Sequence, residues 1–172
     1  PIISFPFENQ IYNTFILSYE NNIIHTWDHD FSIASTPYYD ENFLYRPCKI
    51  DSIIIDLPGA GGKIEKYNIQ GELIWEYTLS SNFIQQHHDI EIMPNGNILI
   101  LAYELKLQEE VINSGMLNHV GVLFSDVIIE INPTENNIVW EWHFWDHLIQ
   151  DIDSNYINFG DIIDHPELLN IN

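Results

Sequence analysis

The sequence is poor in positive charge. Its 172 residues hold 5 Lys and Arg against 26 Asp and Glu, a formal net charge of −21. Nucleic acid and anionic membrane surfaces both need a basic footprint, so neither is expected as a partner. Cysteine is nearly absent, and Cys48 alone excludes an intrachain disulfide. No run reaches the roughly 18 apolar residues of a membrane-spanning helix. H-E-x-x-H and paired-cysteine spacings are missing, which removes the common zinc patterns, and no EF-hand spacing occurs. The chain opens at Pro1 without a basic or apolar leader region, so a signal peptide is expected to be absent or already removed.

What is present is apolar and β-branched. Hydrophobic residues make up 45% and aromatics 13%, enough to build a core and too much for a disordered acidic tail. Isoleucine alone accounts for 30 residues. The apolar residues alternate or run in short blocks, such as Ile64 to Tyr67, Leu73 to Tyr77, Ile98 to Leu101 and Val127 to Ile131. Blocks of this length bounded by Asn, Gly and Pro read as strands. Asp89 to Met93 and Ile98 to Tyr103 flank Pro94-Asn95-Gly96-Asn97, where Asn-Gly supplies the positive φ values of a tight hairpin. Further hairpins are expected at Ile69 to Glu72 and Pro133 to Asn137.

A turn, an apolar pair and a tryptophan recur together. The three copies are Asn21 to Trp27, Gln70 to Tyr77 and Asn136 to Trp142, with Trp75 48 residues after Trp27 and Trp140 65 after Trp75. The longer gap holds an insertion at about 104–126, in which Leu105 to Asn113 is expected to form a short helix with Gly115 near its end. A repeat of roughly 45–50 residues with about four strands describes a β-propeller blade. A closed sandwich is the alternative, but it leaves the recurring unit without a reason. The fold class is therefore all-β: one partial propeller domain over residues 1–172, with about two and a half blades where closed propellers have roughly four to eight. Either the chain is a piece of a longer propeller, or copies cover one another's open edges as a homo-oligomer.

Histidines gather in the connections that follow the repeat tryptophans: His29, His87 and His88, His143 and His147. Equivalent positions in successive blades face one end of a central channel, where imidazoles and carboxylates can bind metal, shuttle protons or hold an anion. His87-His88-Asp89 lies just before a predicted strand, so its two rings are expected to point in opposite directions, with Asp89 available to fix a tautomer. A structural histidine pair is the competing reading. Trp140 to Trp145 is expected to pack blade against blade, with Trp145 and His147 placed beyond the strand. Gly59-Ala60-Gly61-Gly62 lacks the following Lys-Ser/Thr of a phosphate loop and is expected to ease a tight approach into the next strand. Arg46 is the only arginine, with a surface position or a substrate contact both open.

Taken together, Gln85 to Glu91 followed by Met93 to Asn97, with Asn22 to Trp27, Gly59 to Gly62, Ile138 to Trp142, Trp145 to Asp151 and Asp164 to Leu168, resemble the arylsulfotransferase family. The matches are collinear and cover nearly all of the chain. The resemblance implies a six-bladed propeller with its active site in the central channel, and a periplasmic or secreted protein. It implies sulfuryl transfer from a phenolic sulfate ester to another phenol through a sulfated histidine, with no nucleotide donor or other cofactor. On this resemblance His88 and His87 match a channel histidine position of the family, His88 being favoured because it adjoins Asp89, with a role in binding or charge stabilisation. His147, Trp145 and Arg46 are the expected substrate-binding residues, and no metal is expected. The family's D-W-x-H-x-N, S-x-R and nucleophile-bearing Q-H segments have no counterpart before Asn172, so the nucleophile is expected beyond it and this chain alone is expected to be inactive. A non-catalytic secreted propeller that serves as a binding module is the alternative from a different class.

Overall fold

The computed structural model describes residues 2–6 and 12–171. Pro1 and Asn172, on which the expectations about a leader and a continuation rest, lie outside the described residues. The fold is all-β: a succession of antiparallel sheets, none of them closed, arranged as a partial propeller.

The three larger sheets are antiparallel. The first contains β1 (Ile2–Pro6), β2 (Tyr12–Leu17) and β3 (Ile23–His29) in the order β1-β2-β3. The second contains β4 (Ser32–Ile33), β5 (Tyr38–Asp40), β6 (Phe43–Lys49), β7 (Gly62–Asn68) and β8 (Leu73–Thr78). Both β4 and β5 pair with β6, and the order continues to β7 and β8. Pro47 has no amide hydrogen to give and lies opposite the gap between β4 and β5, while its carbonyl accepts from Ala34 at 2.8 Å. The third sheet contains β9 (Ile84–Ile92), β10 (Ile98–Lys106), β11 (Leu123–Asn132) and β12 (Asn137–His143) in sequence order. A short parallel pair, β13 (Leu148–Ile149) with β14 (Leu169–Asn170), follows.

The recurring unit of the sequence is the outer hairpin of each sheet. Asn21, Gly71 and Asn136 all take left-handed φ values at the turn, and each hairpin carries a register shift beside it. In this frame His25, Trp75 and Trp140 are equivalent, and so are Trp27, Tyr77 and Trp142. Trp27 therefore corresponds to Trp142 and not to Trp140, a correction to the sequence alignment. In the hairpin between β9 and β10 Gly96 alone takes the positive φ; the bonds run from Met93 N–H to Asn97 O and from Gly96 N–H to Met93 O, both 2.9 Å. Between β10 and β11 strand pairing persists from Ile98↔Ile131 to Lys106↔Leu123. The intervening loop is thus shorter than the expected insertion, and its helix α1 covers Gln108–Asn113.

Alternation places the core between sheets. In β11 Ser125, Val127, Ile129 and Ile131 are buried while their neighbours are not. Val127, Ile129 and Ile131 join Ile98, Ile100 and Ala102 of β10, Ile90 of β9, and Tyr45 and Ile64 of the second sheet. Trp27, Leu44 and Tyr67 form the smaller core between the first and second sheets. Each fully buried isoleucine contributes about 1.5–3 kcal/mol, so this inter-sheet layer fixes how the inner strands sit.

Candidate functional site

Strand β9 is the innermost strand of the third sheet, and its pairing with β10 is interrupted. Ile90 pairs with Ile100 and Gln86 with Ala102, leaving His87, His88 and Asp89 opposite Leu101 alone. The surplus is a bulge, and His88 sits on it with φ 48. The expectation that the two imidazoles point to opposite sides is overturned, because a left-handed residue breaks strict alternation. The His87 and His88 Nδ1 atoms lie 2.7 Å apart with their rings edge-to-face.

His87 is buried. Its ring stacks on Tyr103 at 3.7 Å between centroids and 19° between planes, and its Nε2 meets Asp126 Oδ1 at 3.1 Å. Burial pushes the His87 imidazole below its ordinary pKa, against the opposing pull of the Asp126 charge. His88 is exposed, and its Nε2 has no hydrogen-bond partner among the described residues. The ring rests against Gly59, where an added Cβ would lie 2.3 Å from His88 Cε1. Gly59, with φ +76, accepts from the His88 amide at 2.8 Å, and Ala60 bridges to His87. The glycine run therefore does more than lead into β7: it lets the 50–61 loop lie directly on the bulge. Tyr103 ties the same loop down by donating its hydroxyl to Pro58 O at 2.8 Å.

Asp89 does not fix a histidine tautomer. It accepts from the Tyr38 hydroxyl at 2.6 Å and from Ile90 N–H at 3.0 Å. The bond to Asp89 is the main reason the Tyr38 hydroxyl is pushed up to about 12. Tyr38 stands on β5, the innermost piece of the second sheet, so this contact joins two inner strands. A shallow cavity of about 220 Å³ beside Asp89 is lined by Glu91, Leu99, Leu101 and Ile128, and His88 does not line it.

The remaining expected residues lie apart from the bulge. Arg46 is sealed inside the second sheet, 1% exposed, with Nη1 on Glu65 at 2.8 Å and Nη2 on Phe31 O at 2.7 Å. Neither a surface position nor a channel contact describes it. Burial and the Arg46 charge hold neighbouring His29 down to about 3, so that ring is neutral. His147 spends both nitrogens on the protein: Nε2 accepts from Trp142 Nε1–H at 3.0 Å and Nδ1 donates to His143 O at 2.9 Å. It locks the one-turn helix Phe144–His147 that ends β12. Trp145 lies beneath Lys106, whose Nζ is 5.3 Å from its ring centroid. That lysine donates to Glu104 at 2.6 Å, and Glu104 in turn meets His143 Nδ1 at 2.9 Å. No group of three or more His, Cys, Asp or Glu side chains among the described residues is placed to hold a metal ion. Asp126 and Tyr103 are the residues that sequence reasoning missed, since only the β10–β11 register, Tyr103↔Asp126, brings them beside His87.

The succession of antiparallel sheets, none of them closed, defines a propeller-type protein, and the bulge on β9 presents the exposed His88 imidazole. The sequence model of the family described as Arylsulfotransferase (ASST) matches residues 19–164. The chain belongs to that family, which carries aryl sulfotransferase-like function with aryl sulfates and phenols as its general substrates. A search of the curated proteins finds no match. No helix among the described residues is long and apolar enough to cross a membrane.

Proposed function

We propose that this chain supplies the inner-strand histidine site of an exported arylsulfotransferase, periplasmic or secreted, that moves a sulfuryl group from a phenolic ester to a second phenol. The observation that carries the reading is His88, whose Nε2 is unpartnered on an exposed bulge while His87, beside it, is buried and held. In the reaction, a histidine outside these 172 residues attacks sulfur through a neutral imidazole nitrogen. The S–O bond breaks, the first phenolate leaves, and an N-sulfo intermediate forms. The second phenol oxygen then attacks the same sulfur, loses its proton and releases the imidazole. His88 contacts the phenolic oxygen, and once its ring has gained a proton it donates to the sulfuryl oxygens, where a donor facing developing charge has most effect. Residues 1–172 are read as one partial propeller domain.

The test is to incubate the full-length protein with 4-nitrophenyl sulfate and a phenol. Nitrophenolate release and a sulfuryl mass gain on a histidine are expected. His88→Ala should lower kcat/KM roughly 100-fold with the fold intact. Absence of release and of histidine modification would sink the enzyme reading. A second reading, a non-catalytic binding propeller, is favoured by one observation: Arg46 is consumed by Glu65 and Phe31 and contributes no charge to the bulge. Under that reading a sulfate ester or phenol binds without turnover.

A further inference from the structure

Asp126 is absent from every functional pattern in the sequence, yet it stands at the start of a hydrogen-bonded line that ends at the free nitrogen of His88. A carboxylate only accepts, so the hydrogen in the 3.1 Å contact belongs to His87 Nε2. A neutral imidazole carries one hydrogen, which leaves His87 Nδ1 bare. That bare nitrogen lies 2.7 Å from His88 Nδ1. Two lone pairs at this distance repel, so His88 Nδ1 carries the hydrogen and donates it. The remaining nitrogen, His88 Nε2, then presents a lone pair outward.

We propose that Asp126 is a positioning residue that, acting through His87, fixes neutral His88 as the Nδ1–H tautomer with an accepting Nε2 toward the ligand. The line is mechanically supported along its length. Tyr103 stacks on His87 and anchors Pro58, and Gly59 backs the His88 ring. The consequence concerns which ligand group fits first. A phenol hydroxyl donates to the bare Nε2 of neutral His88, whereas a sulfuryl oxygen finds a donor there only after His88 gains a second proton. This assignment rests on reading His88 as the ligand-facing group.

The test is nitrogen–proton correlation NMR of the ring nitrogens in the histidine-labelled chain, with no ligand present. His88 should appear as Nδ1–H and His87 as Nε2–H. In Asp126→Ala the His88 signals should move toward the tautomer mixture of free imidazole. The Asp126 side chain is 46% exposed, and an unchanged backbone amide spectrum will verify the fold. His88 found as Nε2–H in the unsubstituted protein, or unmoved by Asp126→Ala, would overturn the proposal. Because the tautomer is read without substrate, a fixed Nδ1–H His88 in a protein that neither binds nor turns over sulfate esters supports the line and sinks only the functional reading.

Discussion

His88 occupies a backbone conformation that L-residues avoid, at a cost on the order of 1–2 kcal/mol. Glycine there would remove that cost while adding chain entropy to the unfolded state. We therefore expect His88→Gly to leave stability within about 1 kcal/mol of the parent, or to raise it, while abolishing the contribution of the ring to sulfate-ester turnover. Urea unfolding and 4-nitrophenyl sulfate kinetics on the same preparation check this; a large loss of stability would show that the imidazole is structural. The His87-His88 pair was legible from sequence because two adjacent histidines are conspicuous. Asp126 was not, because it is one of 26 acidic residues and only strand register singles it out. Arg46 was conspicuous by rarity alone. Its partner, Glu65, stands directly opposite in the β6–β7 register, a fact no spacing rule reveals.

At the scale of elements, hairpins were readable and the bulge was not. Asn and Gly announce left-handed turn residues, and the turns at Asn21, Gly71, Gly96 and Asn136 fall where those residues lie. The bulge in β9 depends on where β10 resumes pairing, and the run from Gln85 to Asp89 carries no Gly or Pro to mark it. The end of β12 offers a pH test. Burial alone would lower His143, but its bonds to Glu104 and Glu141 overcome this and raise it. For Glu104, burial pulls upward, and bonds from His143 and Lys106 prevail and hold it down. A raised histidine stabilises fully below the unfolded value of about 6.5 and loses that contribution as pH rises through its folded value. A lowered Glu stabilises above its ordinary value of 4.5 and loses its contribution as pH falls. The clamp between β10 and β12 is therefore strongest between these limits. His143→Gln should destabilise the protein more at pH 5.5 than at pH 8.5 in urea titrations, and an equal effect at both would remove the charge from the explanation.

At the scale of the 172 residues together, the excess of acid opposes the approach of an anionic substrate. A field of net charge −21 repels a sulfate ester, and salt weakens that repulsion over a Debye length of about 10 Å at 0.1 M. The kcat/KM for a sulfate ester should rise with ionic strength between about 10 and 150 mM, while the KM of a neutral phenol stays nearly constant. A fall with salt would mean that a local cation at the site dominates the field. The all-β class and the repeated outer hairpins were visible in sequence. The pairing of Trp27 with Trp142 was not, because equivalence follows from the turn residue and not from the tryptophan.

Cys48 lies at 0% exposure beside Arg46 and Glu65, and burial above all pushes its thiol up, well beyond the ordinary range. Thiol reagents attack the thiolate of an accessible sulfur, so this one is silent while the sheets are intact. A cysteine introduced on an exposed loop, for example in place of Asn118, then becomes the single reactive handle in these 172 residues. A fluorophore or spin label can be attached there without first mutating the buried sulfur, and later labelling of Cys48 itself reports the moment the second sheet opens.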